Sequence, residues 1–279
     1  LSLLTASAFA AAPAWLDTAV SAEAAHTVEM RRHLHANPEL GNQEKQTQAY
    51  IVQKLKEFGV DEVLVGYKNS PTAVIGVINP KKDNAIGLRA DIDALPIKEN
   101  TGLAFESKAK GQMWGKMSDV SHMCGHDMHM AMLLSAARIL AAHKVDVPRK
   151  VVLVFQPAEE GDSITNPFVS DKPKLSGARA LVEDGLLEQF GIKQMYGIHV
   201  MARVPAGKML VAQGTALNSA DAFQIDIEGR QAHGAMPWTG VDATLTAAQT
   251  VVALQQIVSR NVNLTQGMGV ITVGKLQAG

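Results

Sequence analysis

Residues 151–155 read Val-Val-Leu-Val-Phe, five apolar side chains with no alternation. A strand with one wet face alternates apolar and polar residues, so this run fits a strand covered on both faces. Such a strand needs helices above and below it, which points to an open α/β sheet. The run leads into Gln-Pro-Ala-Glu-Glu-Gly at 156–161. Carboxylates at the carboxyl end of a buried strand stand where α/β sheets place their sites. One stretch of chain therefore constrains both the fold and the position of its chemistry.

Around that run helix and strand patterns alternate. Residues 14–32 carry Trp15, Ala19, Ala22, Ala25 and Val28 at helical spacing, and Asn37-Pro38 ends the pattern. Residues 46–58 read as a second amphipathic helix with Gly59 at its C-cap. Residues 72–79 and 85–90 read as strands, 128–143 and 178–188 as helices, and 195–200 as a short strand. Residues 162–175, rich in Asp, Ser, Pro and Asn, read as a surface loop. The character changes near Gln213. Phe223, Ile225 and Ile227 alternate with Gln224, Asp226 and Glu228, a half-buried strand at 222–228. A helix at 242–258 and a strand at 269–276 follow. The expected organisation is a large α/β domain over 13–212 and a small α/β sandwich over 213–279.

The bulk numbers exclude some classes. Lys plus Arg is 26 against 27 for Asp plus Glu, which leaves no basic footprint for nucleic acid. No apolar run approaches the ~20 residues of a membrane span. The apolar start closes on Ala8-Phe9-Ala10, an A-x-A cleavage pattern. Residues 1–12 are therefore set aside as a signal remnant, and the protein is expected to be exported, periplasmic or secreted. Export invites disulfides, yet the single cysteine cannot form one within the chain. A metal would occupy such a thiol.

That cysteine, Cys124, lies in Ser-His-Met-Cys-Gly-His-Asp-Met-His at 121–129. Thiolate, imidazole and carboxylate together form a transition-metal donor set. Cys124 and His126 are two apart, so in extended backbone they share a face and reach one ion. His129 falls on the following helix, behind the ligands, and His122 is placed at the surface. Glu159 and Glu160 are adjacent, and neighbouring side chains diverge. One can bind metal while the other faces a substrate and shuttles protons. His199 ends a short apolar strand. Asp91 and Asp93 end another, either as turn residues or as carboxylates that orient a ligand. His233 lies in a loop of the second domain.

Taken together, these segments resemble the N-acyl-amino-acid amidohydrolases: hippurate hydrolases, aminoacylases and plant auxin-conjugate hydrolases. The matching stretches run in order over roughly 28–279. Arg-His-Leu-His-Ala-Asn-Pro-Glu-Leu at 32–40 comes first, then Leu-Arg-Ala-Asp-Ile-Asp-Ala-Leu-Pro at 88–96 and Met-Cys-Gly-His-Asp-Met-His at 123–129. Phe-Gln-Pro-Ala-Glu-Glu-Gly at 155–161, Gly-Ile-His-Val at 197–200 and Gly-Arg-Gln-Ala-His-Gly-Ala-Met-Pro at 229–237 complete the set. The resemblance implies a mixed-sheet, zinc-aminopeptidase-like catalytic domain interrupted by a lid domain. It implies that Cys124, His126, Glu160 and His199 bind two divalent ions, Zn or Mn, with Co or Ni as alternatives. It assigns Glu159 as general base and acid, and His233 as the lid histidine that reaches across a homodimer to stabilise the oxyanion. The implied substrate is a small N-acyl amino acid, with no nucleic-acid or membrane partner.

The chain departs from the family pattern in places. Gln231-Ala232 stand where glycines precede the lid histidine, Trp238 stands where a histidine is usual, and the loop at 162–175 is longer. The resemblance also puts one more metal-binding histidine and the groups that grip the substrate carboxylate beyond Gly279. This chain, expressed alone, is accordingly expected to be poorly soluble and to turn over negligibly. A fragment that binds metal without turnover, and a dipeptidase or deacetylase of the same family, stay open as alternatives.

Overall fold

A computed structural model describes residues 12–171, 174–211, 213–214, 219–263 and 265–279. The A-x-A pattern at 8–10 lies outside the described residues. Strand β1 (Glu62–Tyr67), β2 (Ser70–Ile78), β3 (Ala85–Asp91), β6 (Val151–Gln156) and β7 (Ile192–Gly197) form one sheet, ordered β1-β2-β6-β3-β7. β6 pairs antiparallel with β2 and parallel with β3, which pairs parallel with β7. The sheet is thus mixed, and β6 lies at its centre.

The unbroken apolar run of β6 has the expected cause. Val151, Leu153 and Phe155 enter one core with Met30 and Leu34 of α1 (Leu16–Ala36), Ile51 and Leu55 of α2 (Lys45–Glu57), and Met130 and Leu134 of α3 (His126–Ala142). Val152 and Val154 enter the opposite core with Leu181 of α4 (Gly177–Glu183) and with Leu186 and Phe190 of α5 (Leu186–Phe190). Each fully buried side chain contributes about 1.5–3 kcal/mol. That rigid centre carries the three parallel strand ends near which the site is built.

Local chemistry sets the boundaries. The Glu39 carboxylate accepts from the backbone N of Gln46 (3.1 Å) and of Thr47 (2.8 Å), satisfying free donors at the start of α2. The helix read at 178–188 is two helices, because Gly185 adopts a left-handed conformation (φ 84) between them. Asp184 beside it accepts from Asn69 N at 2.8 Å, which ties the break to the β1–β2 turn. β1 was not anticipated, nor was the hairpin of β4 (Lys110–Met113) and β5 (Lys116–Asp119). The hairpin turn uses Trp114 and Gly115, both at positive φ (52 and 77). The last strand runs 192–197 rather than 195–200.

The chain divides into two compact units, Leu1–Ala212 and Gln213–Gly279. In the second, a 3-10 turn (Pro237–Thr239) precedes α6 (Ala243–Gln256), and Arg230 and Val241 form an isolated antiparallel bridge. The Asp242 side chain caps α6 by accepting from Leu245 N at 2.8 Å. The strands expected at 222–228 and 269–276 are not assigned in this unit. Alternation marks which residues would face a core, but a strand also needs a hydrogen-bonded neighbour. Among the described residues neither segment has one. No helix among the described residues is long and apolar enough to cross a membrane.

Candidate metal centre

The site gathers near the carboxyl ends of β3, β6 and β7. β3 ends at Asp91, paired in register with Gln156 at the end of β6, and β7 leads to His199. Gly125, left-handed at φ 93, turns the chain into α3, so Cys124 precedes the helix and His126 is its first residue. A Cβ on Gly125 would lie 2.1 Å from Cγ2 of Val200, so the turn packs directly against the segment that carries His199.

His126 is fully buried, and its two ring nitrogens have different surroundings. Nδ1–H donates to the carbonyl of Asp93 at 2.8 Å. Nε2 is buried with no hydrogen-bond partner. It lies 3.5 Å from Asp91 Oδ2 and 3.7 Å from Glu159 Oε2. A buried, unpartnered imidazole nitrogen costs desolvation free energy unless something fills it. Cys124, His126 and His199 each bring a donor atom within 4.8 Å of the others, and so do His126, Glu159 and Glu160. His199 Nδ1–H donates to the carbonyl of Val200 at 2.6 Å, and its Nε2 faces Cys124 Sγ at 3.5 Å. In both histidines a backbone carbonyl takes the Nδ1 proton, which leaves Nε2 as the nitrogen for a metal, the arrangement usual for metal-binding histidines. The donor set therefore fits divalent cations.

Asp91 and Asp93 are orienting groups rather than turn residues. Asp91 Oδ1 accepts from His129 Nδ1 at 2.7 Å, and Oδ2 accepts from Arg89 Nη1 at 2.8 Å. Burial opposes its charge, but the His129 bond, His126 and Arg89 outweigh burial and hold its carboxyl at about 2. Asp93 Oδ2 accepts from Glu160 N at 2.9 Å. His129 Nε2 in turn accepts from Val200 N at 2.8 Å, so both of its nitrogens are engaged and it stands behind the ligands.

Electrostatics differ from donor to donor. Burial disfavours charge on His126, yet Asp93 and Asp91 outweigh it and raise the ring to about 9. Burial pushes the Cys124 thiol up to about 12, with Glu160 adding to the shift. Burial also raises Glu159, followed by the charge of Glu160 beside it. His122, placed at the surface by sequence, is instead 5% exposed with neither nitrogen hydrogen-bonded. Burial drives its pKa down to about 4, so it sits in the core as a neutral ring. The loop read at 162–175 begins inside the protein: Ser163 is buried and donates to the carbonyl of Gly41 at 2.5 Å. Trp114 Nε1 donates to the carbonyl of Asp162 at 2.9 Å, and its ring meets Phe168 edge-on.

The residues brought together are Cys124, His126, Glu159, Glu160 and His199, with Asp91, Asp93 and His129 behind them. A family model described as peptidase family M20/M25/M40 matches residues 87–274. The chain belongs to that family. Relatives named as a deacetylase and a hydrolase match along most of it. N-acetyl-L-cysteine deacetylase of Bacillus subtilis is 40% identical over 90% of this chain and 54% of its own length. Hippurate hydrolase of Campylobacter jejuni is 39% identical over 90% and 59%. The chain thus spans little more than half the length of these relatives. Among solved structures, a dinuclear metal binding peptidase of the M20 family from Bacillus subtilis is 34% identical, with a TM-score of 0.54 over 67% of this chain and 45% of that one. A crystal structure from methicillin-resistant Staphylococcus aureus is 32% identical, with a TM-score of 0.63 over 88% and 57%.

His233 lies in the second unit, where its Nδ1 accepts from Ala235 N at 3.1 Å. Two groups had no assigned role in the sequence reading. Gln156 Oε1 accepts from both Nε (2.8 Å) and Nη2 (2.6 Å) of Arg89, fixing the guanidinium that pairs with Asp91. The matched register of β3 and β6 is the signal that could have joined them. Glu44 is fully buried behind the Glu159–Glu160 turn. Its place just before a helix reads in sequence as an ordinary helix-start carboxylate.

Proposed function

We propose that this protein is a metal-dependent amidohydrolase that cleaves small N-acyl amino acids, hippurate-like or N-acetylated, into a carboxylic acid and an amino acid. The observation that carries the reading is the buried, unpartnered Nε2 of His126, set among Cys124, His199 and the Glu159–Glu160 pair. Cys124, His126, Glu160 and His199 are the residues we assign to holding two divalent ions, Zn or Mn. When bound, such ions supply Lewis acidity that polarises a carbonyl and makes water nucleophilic at neutral pH.

The protein's own groups do the rest. Glu159 is the half-exposed carboxyl beside the donors, 3.7 Å from His126 Nε2. Its raised pKa suits a group that takes a proton from water near neutral pH and returns it to the leaving amine. Glu160 is assigned to the metal instead, and Asp93 anchors its backbone N. Arg89, Asp91 and His129 keep the second layer of the site rigid. His233 is assigned to oxyanion stabilisation on resemblance alone. Export and a homodimer formed through the second unit belong to the same reading.

The test is hydrolysis of hippurate and N-acetyl amino acids by the full-length protein loaded with Zn or Mn. Glu159→Gln is expected to keep the metal and lose about 100- to 10,000-fold in kcat. Glu160→Gln is expected to lose metal as well. Turnover that survives complete metal removal would refute the reading. Normal metal content in both variants, with only Glu160→Gln inactive, would exchange the two roles.

A further inference from the structure

The Glu159–Glu160 turn starts from a strained residue. Ala158 has φ 50, in the left-handed region where a side chain with a Cβ is disfavoured, and it is 2% exposed. Glu44, 0% exposed, reaches this turn from the start of α2. Its Oε1 accepts from Ala158 N at 2.9 Å, and its Oε2 accepts from Thr72 Oγ1 at 2.6 Å. Two residues further on, Asp93 Oδ2 accepts from Glu160 N at 2.9 Å. Gly161 N donates to the Ala158 carbonyl at 3.3 Å and closes the turn. Gly41 packs against its outer side, where a Cβ would come within 2.2 Å of the Gly161 carbonyl.

Two buried carboxylates thus each take one backbone N–H of the segment that presents the glutamates. Asp93 also holds His126, so its role is shared. Among the described residues the Glu44 carboxylate holds Ala158 and Thr72 rather than the donors themselves. If its bond were lost, Ala158 N would be buried without a partner. Relaxation of Ala158 to negative φ would then re-aim the next two side chains.

We infer that Glu44 is a positioning residue for the reaction, acting through Ala158 N to keep the left-handed turn that aims Glu159 and Glu160. Ala158→Gly gives a specific diagnostic, because glycine adopts positive φ without strain and needs no clamp. Cobalt titration, read by thiolate-to-metal absorption, measures the site without turnover. kcat and KM on an N-acetyl amino acid add a second readout, which rests on the amidohydrolase reading. Glu44→Leu is expected to weaken cobalt binding and lower kcat by about 10- to 100-fold, with KM changed less than about twofold. Adding Ala158→Gly to Glu44→Leu is expected to restore most of both losses. Glu44→Gln keeps an acceptor for Ala158 N, so it should stay within about threefold of wild type. A folded Glu44→Leu with wild-type cobalt affinity would overturn the inference, as would failure of Ala158→Gly to rescue. If Glu44→Leu does not fold, a tenfold loss in folded Glu44→Gln would overturn it, and near-wild-type binding would uphold it. Absence of hydrolysis in every full-length variant would count against the amidohydrolase reading and leave the cobalt result to decide this one.

Discussion

The candidate site has a buried half and an open half. Asp91, Asp93, His126 and His129 are all buried, and each is tied by at least one hydrogen bond to another of the four or to a nearby backbone group. Glu159, Glu160 and His199 are exposed, and Cys124 is partly so. The buried half costs desolvation free energy at all times and offsets it with fixed partners. In the proposed reaction, the open half carries the groups that exchange protons and admit a substrate. Rigidity and reactivity are therefore assigned to different residues at the ends of the same strands.

The largest test of this division is stability without metal. His126→Leu removes the partner of two buried carboxylates and should cost about 3–5 kcal/mol in urea unfolding. His199→Leu in the open half should change stability by no more than about 0.5 kcal/mol. Equal costs would abolish the distinction. Next comes Asp91→Asn, which leaves every open-half donor in place. It should weaken metal binding about 10- to 100-fold by loosening His129 and Arg89. Unchanged affinity would mean that the buried half does not set the open half's geometry.

Protons give a third test. In metal-free protein at pH 7, His126 (about 9) and Cys124 (about 12) both carry protons. Metal capture by these two groups should release about two protons, measurable by calorimetry in buffers of different ionisation enthalpy. Affinity should rise with pH, more steeply below about 9 than above it, where Cys124 alone of the two still has a proton to lose. The His126 contribution to metal-free stability runs the other way: its folded pKa is raised, so the contribution is full below the ordinary 6.5 and lost as pH rises through about 9. Parallel pH trends for affinity and metal-free stability would contradict this. The smallest effect is expected for Cys124→Ser, which should shift metal-free stability by no more than about 0.5 kcal/mol while weakening metal binding. A large stability loss would move Cys124 into the buried half.

Sequence legibility followed the same line. Val151–Gln156 was readable because two-sided burial writes an unbroken apolar run, and the strand-end motifs were readable because they carry donor atoms. β1 was missed because Glu62-Val-Leu-Val-Gly-Tyr67 is a half-wet edge strand with a bulge between Val65 and Tyr67. His122 was misplaced because nothing adjacent in sequence reveals the packing above it. Residues 222–228 showed the alternation of a strand, but pattern alone supplies no ladder partner. Glu44 was invisible as an anchor because its partner, Ala158, is 114 residues away. Long-range hydrogen bonds to backbone leave no periodic trace.

Gly125 brings out a further consequence. Its missing side chain is the clearance between the Cys124–His126 turn and Val200, and Val200 adjoins His199. The gap between two donor-bearing segments is gauged by a hydrogen atom where other residues have a methyl group. Even alanine, the smallest replacement, would wedge the histidines apart and strain the φ of 93. Tolerance to mutation at this site is thus governed by a residue with no chemistry of its own, whose function is to be thin.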